Sequence, residues 1–349
     1  MTTTMQAAVL NQPGDITLSE VPVPTPAPDE ALVKVAVCGV CGSDLARMLH
    51  KGTYRFPLIC GHEFSGHVVE LGSAVRDVAV GDLVSVPPMI PCFKCDQCQR
   101  GRFSLCEDYD YFGSRRDGAY AQYVCVPQTN LFVMPVELDP RAAAMIDPAA
   151  IALHALRRTK LTLGQKVCVV GAGPIGLFAV QWARLAGATE VTAIDLNDEK
   201  AKMALDAGAD HAVSNRDDAL EHATDGFDVI FESAGVPAAV DLAVSMAARH
   251  GDVTFVGIPN AAVTLQEATF NRFLRYEVSL HGAWNSFSAP FPGEEWTSAT
   301  HFLARGDLKW EFMITHQAGL DQVGALIPAM GDRSIFSSKV LFAPNGDVA

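Results

Sequence analysis

Apolar and polar positions alternate in short runs over residues 1–148. Residues 31–37 read as a strand in which Lys34 marks the outward face. Residues 67–71, 82–86 and 120–126 repeat the pattern, with glycine and proline turns between them. Pro22, Pro24, Pro26 and Pro28 predict an extended surface connection, because proline fixes φ and disfavours helix in the residue before it. Many short strands joined by tight turns predict a barrel-like domain.

The pattern changes over 149–276. Strands are expected at 167–170, 191–194, 211–213, 227–231 and 253–256, and helices at 174–186, 198–207 and 237–248. Alternation at this spacing implies right-handed crossovers and a parallel sheet, so the chain is α/β over this region. Residues 277–349 contain a candidate strand at 278–280, helical stretches at 296–304 and 320–330, and a strand at 339–342. This third region is unlike the middle one and is expected to return to the first domain.

The junction of the first predicted strand and helix of the middle region carries chemistry. Val167 to Val170 run into Gly171-Ala172-Gly173-Pro174-Ile175-Gly176. Gly171 permits a sharp turn, Gly173 a close approach to a pyrophosphate, and Gly176 tight helix–strand packing. Pro174 and Ile175 open the helix, whose N-terminal amides attract phosphate. The second strand ends in Asp195, nineteen residues past Gly176. An acid there accepts both ribose hydroxyls of NAD and repels the extra phosphate of NADP.

Length and charge narrow the field. The chain has 349 residues, 49% of them hydrophobic, and a formal charge of −14. That is enough for two domains with sizeable cores, and the negative balance argues against nucleic acid or an anionic membrane as partner. The first ten residues lack a basic region and a signal-peptide core. The apolar run 167–186 is broken by the glycine turn, Gln181 and Arg184, so it predicts a buried strand and helix rather than a membrane span. Nine cysteines without a signal fit a reduced, cytoplasmic protein in which clustered thiols bind metal.

Cys92, Cys95, Cys98 and Cys106 form such a cluster, with spacings suited to a closed tetrahedral, structural zinc site. A second set is dispersed. Cys41-Gly42-Ser43-Asp44, Gly61-His62-Glu63 and Ile146-Asp147-Pro148 together offer a thiolate, an imidazole and carboxylates. Three protein ligands and an open position are the layout of a catalytic zinc. Cys38 and Cys60 lie nearby and read as packing residues.

These stretches, in this order and spacing, resemble the zinc-dependent medium-chain alcohol and polyol dehydrogenases over essentially the whole chain. The resemblance implies a GroES-like β-barrel catalytic domain, 1–148 and 277–349, with an inserted Rossmann NAD-binding domain, 149–276. It implies two zinc ions per subunit, one catalytic and one structural, with NAD as cofactor and a homodimer or homotetramer as the assembly. It makes Cys41 and His62 ligands of the catalytic zinc, Glu63 an adjacent carboxylate that ligates or exchanges with water, Ser43 the start of a proton relay, and Asp44 the group that orients the histidine. Asp147 stands where polyol enzymes of the family carry a glutamate before proline. Its shorter side chain coordinates directly or through water, or leaves Glu63 as third ligand.

Three further stretches resemble the sugar-alcohol branch: Pro91-Cys92-Phe93, Gly113-Ser114-Arg115-Arg116-Asp117-Gly118, and Gly282-Ala283-Trp284-Asn285 with Pro290-Phe291-Pro292-Gly293-Glu294-Glu295-Trp296. The expected reaction is oxidation of a secondary alcohol of a polyol or polyol phosphate to the ketose. Short-diol and threonine-type enzymes use the same machinery, and an inactive binding relative would be expected to lack Cys41 or His62. Arg115 and Arg116 are candidates to hold a distal hydroxyl or phosphate. Trp284 and Asn285 are candidates to line the pocket.

Overall fold

The computed structural model describes residues 3–346. They form two compact units. One runs to Asp147 and resumes at Phe287, and the other is Pro148–Ser286.

In the first unit, a seven-stranded sheet among the described residues is centred on Glu30–Gly39. Glu63–Leu71 and Tyr123–Pro127 pair antiparallel with this strand, and Lys339–Phe342 joins it near Gly39. Alternation explains its faces: Val33, Val35 and Val37 are buried and Lys34 is exposed, as the sequence predicts. Phe64, Tyr120 and Phe342 fill the core beneath. The register sets Gly39 opposite both Glu63 and Leu341, so residues far apart in sequence meet on three adjacent strands.

The second unit is a six-stranded parallel sheet in the order His211–Val213, Glu190–Ile194, Lys166–Val170, Phe227–Glu232, Ala247–Phe255, Ser279–Gly282. Val167 to Val170 are buried without alternation, because helices cover both faces of such a sheet. The order reverses at Lys166–Val170, whose carboxyl end is the switch point where open α/β sheets hold ligands.

Some expectations need correction. The sequence pattern places strand 278–280 in the returning region. It is Ser279–Gly282, which pairs in register with Asp252–Phe255, so the unit boundary lies at 286/287 rather than 276/277. Residues 67–71 are the end of a longer strand that begins at Glu63. Helix 237–248 stops at Ser245, because Ala247–Phe255 already belongs to the next strand. The helical stretch 320–330 divides into a turn at Leu320–Gln322 and a helix at Val323–Gly331. The hairpin Thr4–Gln12 with Asp15–Pro22 and the helix Ile146–Arg157 were not anticipated. Among the described residues, no helix is long and apolar enough to cross a membrane.

Candidate active site and metal centres

Strand Glu30–Gly39 delivers the chain to Cys41, which caps the short helix Gly42–Ala46. His62 and Glu63 stand where strand Glu63–Leu71 begins. Ligand atoms of Cys41, His62 and Glu63 all lie within 4.8 Å of one another. Asp147 is outside that set.

Asp44 orients the group. Its Oδ1 accepts from His62 Nδ1 at 3.1 Å, and its Oδ2 accepts from the Cys41 amide and the Tyr120 hydroxyl, each at 3.1 Å. With Nδ1 engaged, Nε2 is the ring atom available to a metal. Burial alone would raise the Asp44 pKa. The His62 contact, with Arg47 behind it, outweighs burial and holds the carboxyl below its ordinary range. His62 is likewise raised well above its ordinary value: burial opposes this, and Asp44 and Cys41 prevail. Ser43 Oγ lies 3.3 Å from Cys41 Sγ and accepts from Arg47 Nη1 at 3.0 Å.

Lys339 is the residue that sequence reasoning missed. Fully buried, it donates from Nζ to Glu63 Oε2 and to the Val40 carbonyl. Burial would lower the ammonium pKa, but Glu63 raises it further. The one signal was a lysine opening the apolar run Lys339-Val340-Leu341-Phe342, which looks like an ordinary strand start.

Asp147 sits in the first turn of Ile146–Arg157, and its buried Oδ2 has no hydrogen-bond partner. Burial and then the Glu63 charge push this carboxyl up to about 7, while His62 and Lys339 pull it down. A cation placed here reverses that balance. Without metal, the folded carboxyl keeps a proton that the unfolded one releases above its ordinary 3.8. The contribution of Asp147 to the stability of the chelator-treated protein therefore falls between about pH 4 and about pH 7 and is constant above. Asp147→Asn is expected to flatten that part of the decline, and saturating zinc to reduce it in the wild type. Denaturant unfolding across the window checks both. Identical pH slopes for wild type and variant without metal would exclude the effect.

The second cluster fits a closed zinc site. All four sulfurs lie within 4.8 Å of one another, with Cys92 to Cys98 and Cys95 to Cys106 each at 4.0 Å. A tetrahedron with Zn–S bonds of about 2.3 Å has edges of about 3.8 Å. All are free thiols rather than disulfides. Amides of Glu107 and Cys98 donate to Cys95 and draw its thiol down to about 6, toward the thiolate that metal requires. Cys38 and Cys60 are buried outside both clusters, and burial raises both thiols.

The glycine turn fits a dinucleotide. Gly171 has φ +97°, and a Cβ on Gly176 would fall 1.8 Å from the Gly171 carbonyl oxygen, so neither position admits a side chain. A Cβ on Gly173 would project into open space, the cradle a phosphate would fill. Gly173 caps helix Pro174–Leu185 without a side-chain bond, leaving the amides of its first turn, including Ile175 and Gly176, free of side-chain caps. Asp195 borders this loop and accepts from the Ala172 amide at 2.9 Å and the Asn197 amide at 3.0 Å.

The remaining candidates separate. Arg116 pairs with Glu30 at 2.8 Å, and Asp117 pairs with Arg55 at 2.9 Å. Arg115 pairs with no carboxylate among the described residues and instead stacks on Tyr54 and Tyr109. Trp284 and Asn285 follow the last strand of the α/β unit, and Trp284 is 47% exposed, so it is not a core residue of that unit.

A GroES-like unit with a converging cysteine–histidine–glutamate set, in one chain with a dinucleotide-type parallel sheet, defines a class of zinc-binding oxidoreductases. Residues 27–136 match the family model for the alcohol dehydrogenase GroES-like domain, and residues 174–305 that for zinc-binding dehydrogenase. The chain belongs to the zinc-dependent medium-chain alcohol and polyol dehydrogenases. Galactitol 1-phosphate 5-dehydrogenase of Escherichia coli K12 is 35% identical over 97% of this chain and 100% of its own. A crystal structure of galactitol-1-phosphate dehydrogenase from that species has a TM-score of 0.92 to it, with 35% identity and the same coverage. Sorbitol dehydrogenase of Bacillus subtilis is 34% identical over 91% of each chain. A zinc-binding dehydrogenase from Sinorhizobium meliloti 1021, solved bound to NADP, is 33% identical over 98% of this chain and 100% of its own, with a TM-score of 0.88.

Proposed function

We propose that this chain oxidises a secondary alcohol of a sugar alcohol, free or phosphorylated, to the ketose and passes the hydride to NAD. The observation that carries the reading is the convergence of half-buried Cys41 with buried His62 and Glu63, with His62 oriented by Asp44. Cys41 and His62 would hold a zinc ion. Glu63 would offer the ion its remaining oxygen, since Lys339 occupies Oε2, and the unpartnered Asp147 Oδ2 would supply a further buried acceptor beside it. Zinc there supplies Lewis acidity that makes a substrate hydroxyl easier to deprotonate. Ser43 accepts that proton as its own leaves toward solvent, and Arg47 holds its oxygen in place. Residues Gly171–Gly176 would hold the pyrophosphate of NAD, which would supply the hydride acceptor. The four thiolates Cys92, Cys95, Cys98 and Cys106 bind a second, structural zinc. Short diols and threonine remain the alternative substrates, since relatives of the chain include L-threonine 3-dehydrogenases.

The test is NAD reduction over a panel of polyols, polyol phosphates, diols and threonine, with zinc content measured on the same sample. About two zinc ions per chain and turnover of a polyol are expected. Asp195→Ala should lower the preference for NAD over NADP by about 10²-fold, because a carboxylate facing the 2′-phosphate repels it. A full zinc complement with no turnover on any member would refute the activity, and an unchanged cofactor ratio would refute the role of Asp195.

A further inference from the structure

The chain carries 40 acidic and 26 basic residues, so arginines that gather without carboxylates need a reason. Three do so in the α/β unit. Arg249 and Arg272 have no carboxylate partner among the described residues, and both guanidinium groups stack on one ring. Their Cζ atoms lie 4.2 Å and 4.5 Å from the centroid of Tyr276. Arg216 comes within 3.8 Å of Asp241 Oδ2, too far for a hydrogen bond, while Asp241 Oδ1 accepts from the Gln266 amide at 2.8 Å. Cations held together repel one another, and an anion bound from outside the chain would offset that repulsion.

The structure offers such an anion a place. Arg216 and Arg272 line one cavity of about 310 Å³, between the helices Arg216–His222, Pro237–Ser245 and Glu267–Arg275. Arg272 is anchored there: its Nε donates to the Ala247 carbonyl at 2.8 Å, and no acceptor among the described residues engages its two terminal nitrogens. Thr269 lines the same cavity and is 4% exposed, and its hydroxyl has no hydrogen-bond partner among the described residues. A hydroxyl so enclosed costs stability until a ligand oxygen satisfies it.

The cavity is not the dinucleotide cradle. Ala247 opens the strand Ala247–Phe255, and the His250 amide of that strand donates to the Tyr276 carbonyl at 2.7 Å. Arg272 and Tyr276 therefore stand toward the amino end of the parallel sheet. The glycine turn leaves the opposite, carboxyl end of Lys166–Val170.

We propose that this cavity is a second ligand site, which binds the phosphate group of a small soluble metabolite between Arg216, Arg272 and the Thr269 hydroxyl. Donors that converge from two helices suit the three oxygens of a phosphate monoester better than the two coplanar oxygens of a carboxylate. The volume is at the lower end for small-molecule sites, enough for a phosphate on a short carbon chain. The net charge of −14 opposes a lipid surface or a nucleic acid as the source of that phosphate.

The test is calorimetric titration of inorganic pyrophosphate into the full-length, zinc-loaded protein saturated with NADH, so that the glycine turn is already filled. Wild type should show saturable binding at a single site. Arg216→Gln removes an exposed side chain with no hydrogen bond to lose, and it should weaken that binding by about 10-fold. Arg272→Gln should weaken it by at least as much. Neither variant should change the affinity for NADH, read by nucleotide fluorescence. Malonate, a dicarboxylate of similar span, should bind at least about 10-fold more weakly than pyrophosphate. Should Arg272→Gln fail to fold because the bond to Ala247 is lost, Arg216→Gln decides alone. No saturable binding to the NADH-saturated wild type, or wild-type affinity in Arg216→Gln, overturns the proposal. Equal binding of malonate overturns the assignment of phosphate.

Discussion

Replacing His62 with alanine should reduce turnover by at least about 10³-fold while leaving the chain folded. The size follows from the several kcal/mol that a Lewis acid contributes to stabilising developing charge. Folding should survive because Asp44, the buried partner left behind, keeps the Cys41 amide, the Tyr120 hydroxyl and the Arg47 guanidinium. Zinc should fall from about two ions per chain to about one, since the four-cysteine cluster is separate. Asp44→Asn should give a milder loss of about 10- to 100-fold, because it disturbs the ring that bears the ligand rather than the ligand itself. Rates of NADH formation, zinc analysis and circular dichroism on one preparation check all three statements. If His62→Ala retained a tenth of the activity, or kept both zinc ions, the assignment of the metal set would fail.

Local patterns carried much of this fold into the sequence. The buried run Val167–Val170 and the glycine turn are contiguous and the acid at 195 ends the very next strand, so one strand–turn–helix–strand unit contains its own signal. The cysteine cluster is equally local. What escaped is non-local. Lys339 reaches Glu63 only because strands far apart in sequence pair on either side of Gly39. No spacing rule encodes that register. Arg115 and Arg116 are neighbours of identical type. Only their surroundings, Tyr54 and Tyr109 for one and Glu30 for the other, separate a cation without an acceptor from a paired one. The placement of 278–280 failed for a related reason. A short apolar run shows that a strand is present but not which sheet edge will accept it.

Lys339→Met should lower stability by about 3–5 kcal/mol, because it leaves the Glu63 carboxylate buried without its counter-charge. The pair is tightly enclosed: Glu63 is 3% exposed, Lys339 is 1% exposed, and a Cβ on Gly39 would lie 2.8 Å from Lys339 Cε. Water cannot replace the ammonium there. The second variant, Lys339→Met with Glu63→Gln, separates charge from packing, since methionine keeps most of the lysine stem and glutamine keeps the shape of the glutamate. The double variant should recover to within about 1 kcal/mol of wild type, as buried ion pairs replaced together often do. Measurements belong in chelator-treated protein, where metal affinity does not enter. Equal losses in the single and double variants would assign the effect to lost lysine packing. Lys339 would then be a filler of the core beside the site, and Glu63 would owe its position to the strand alone.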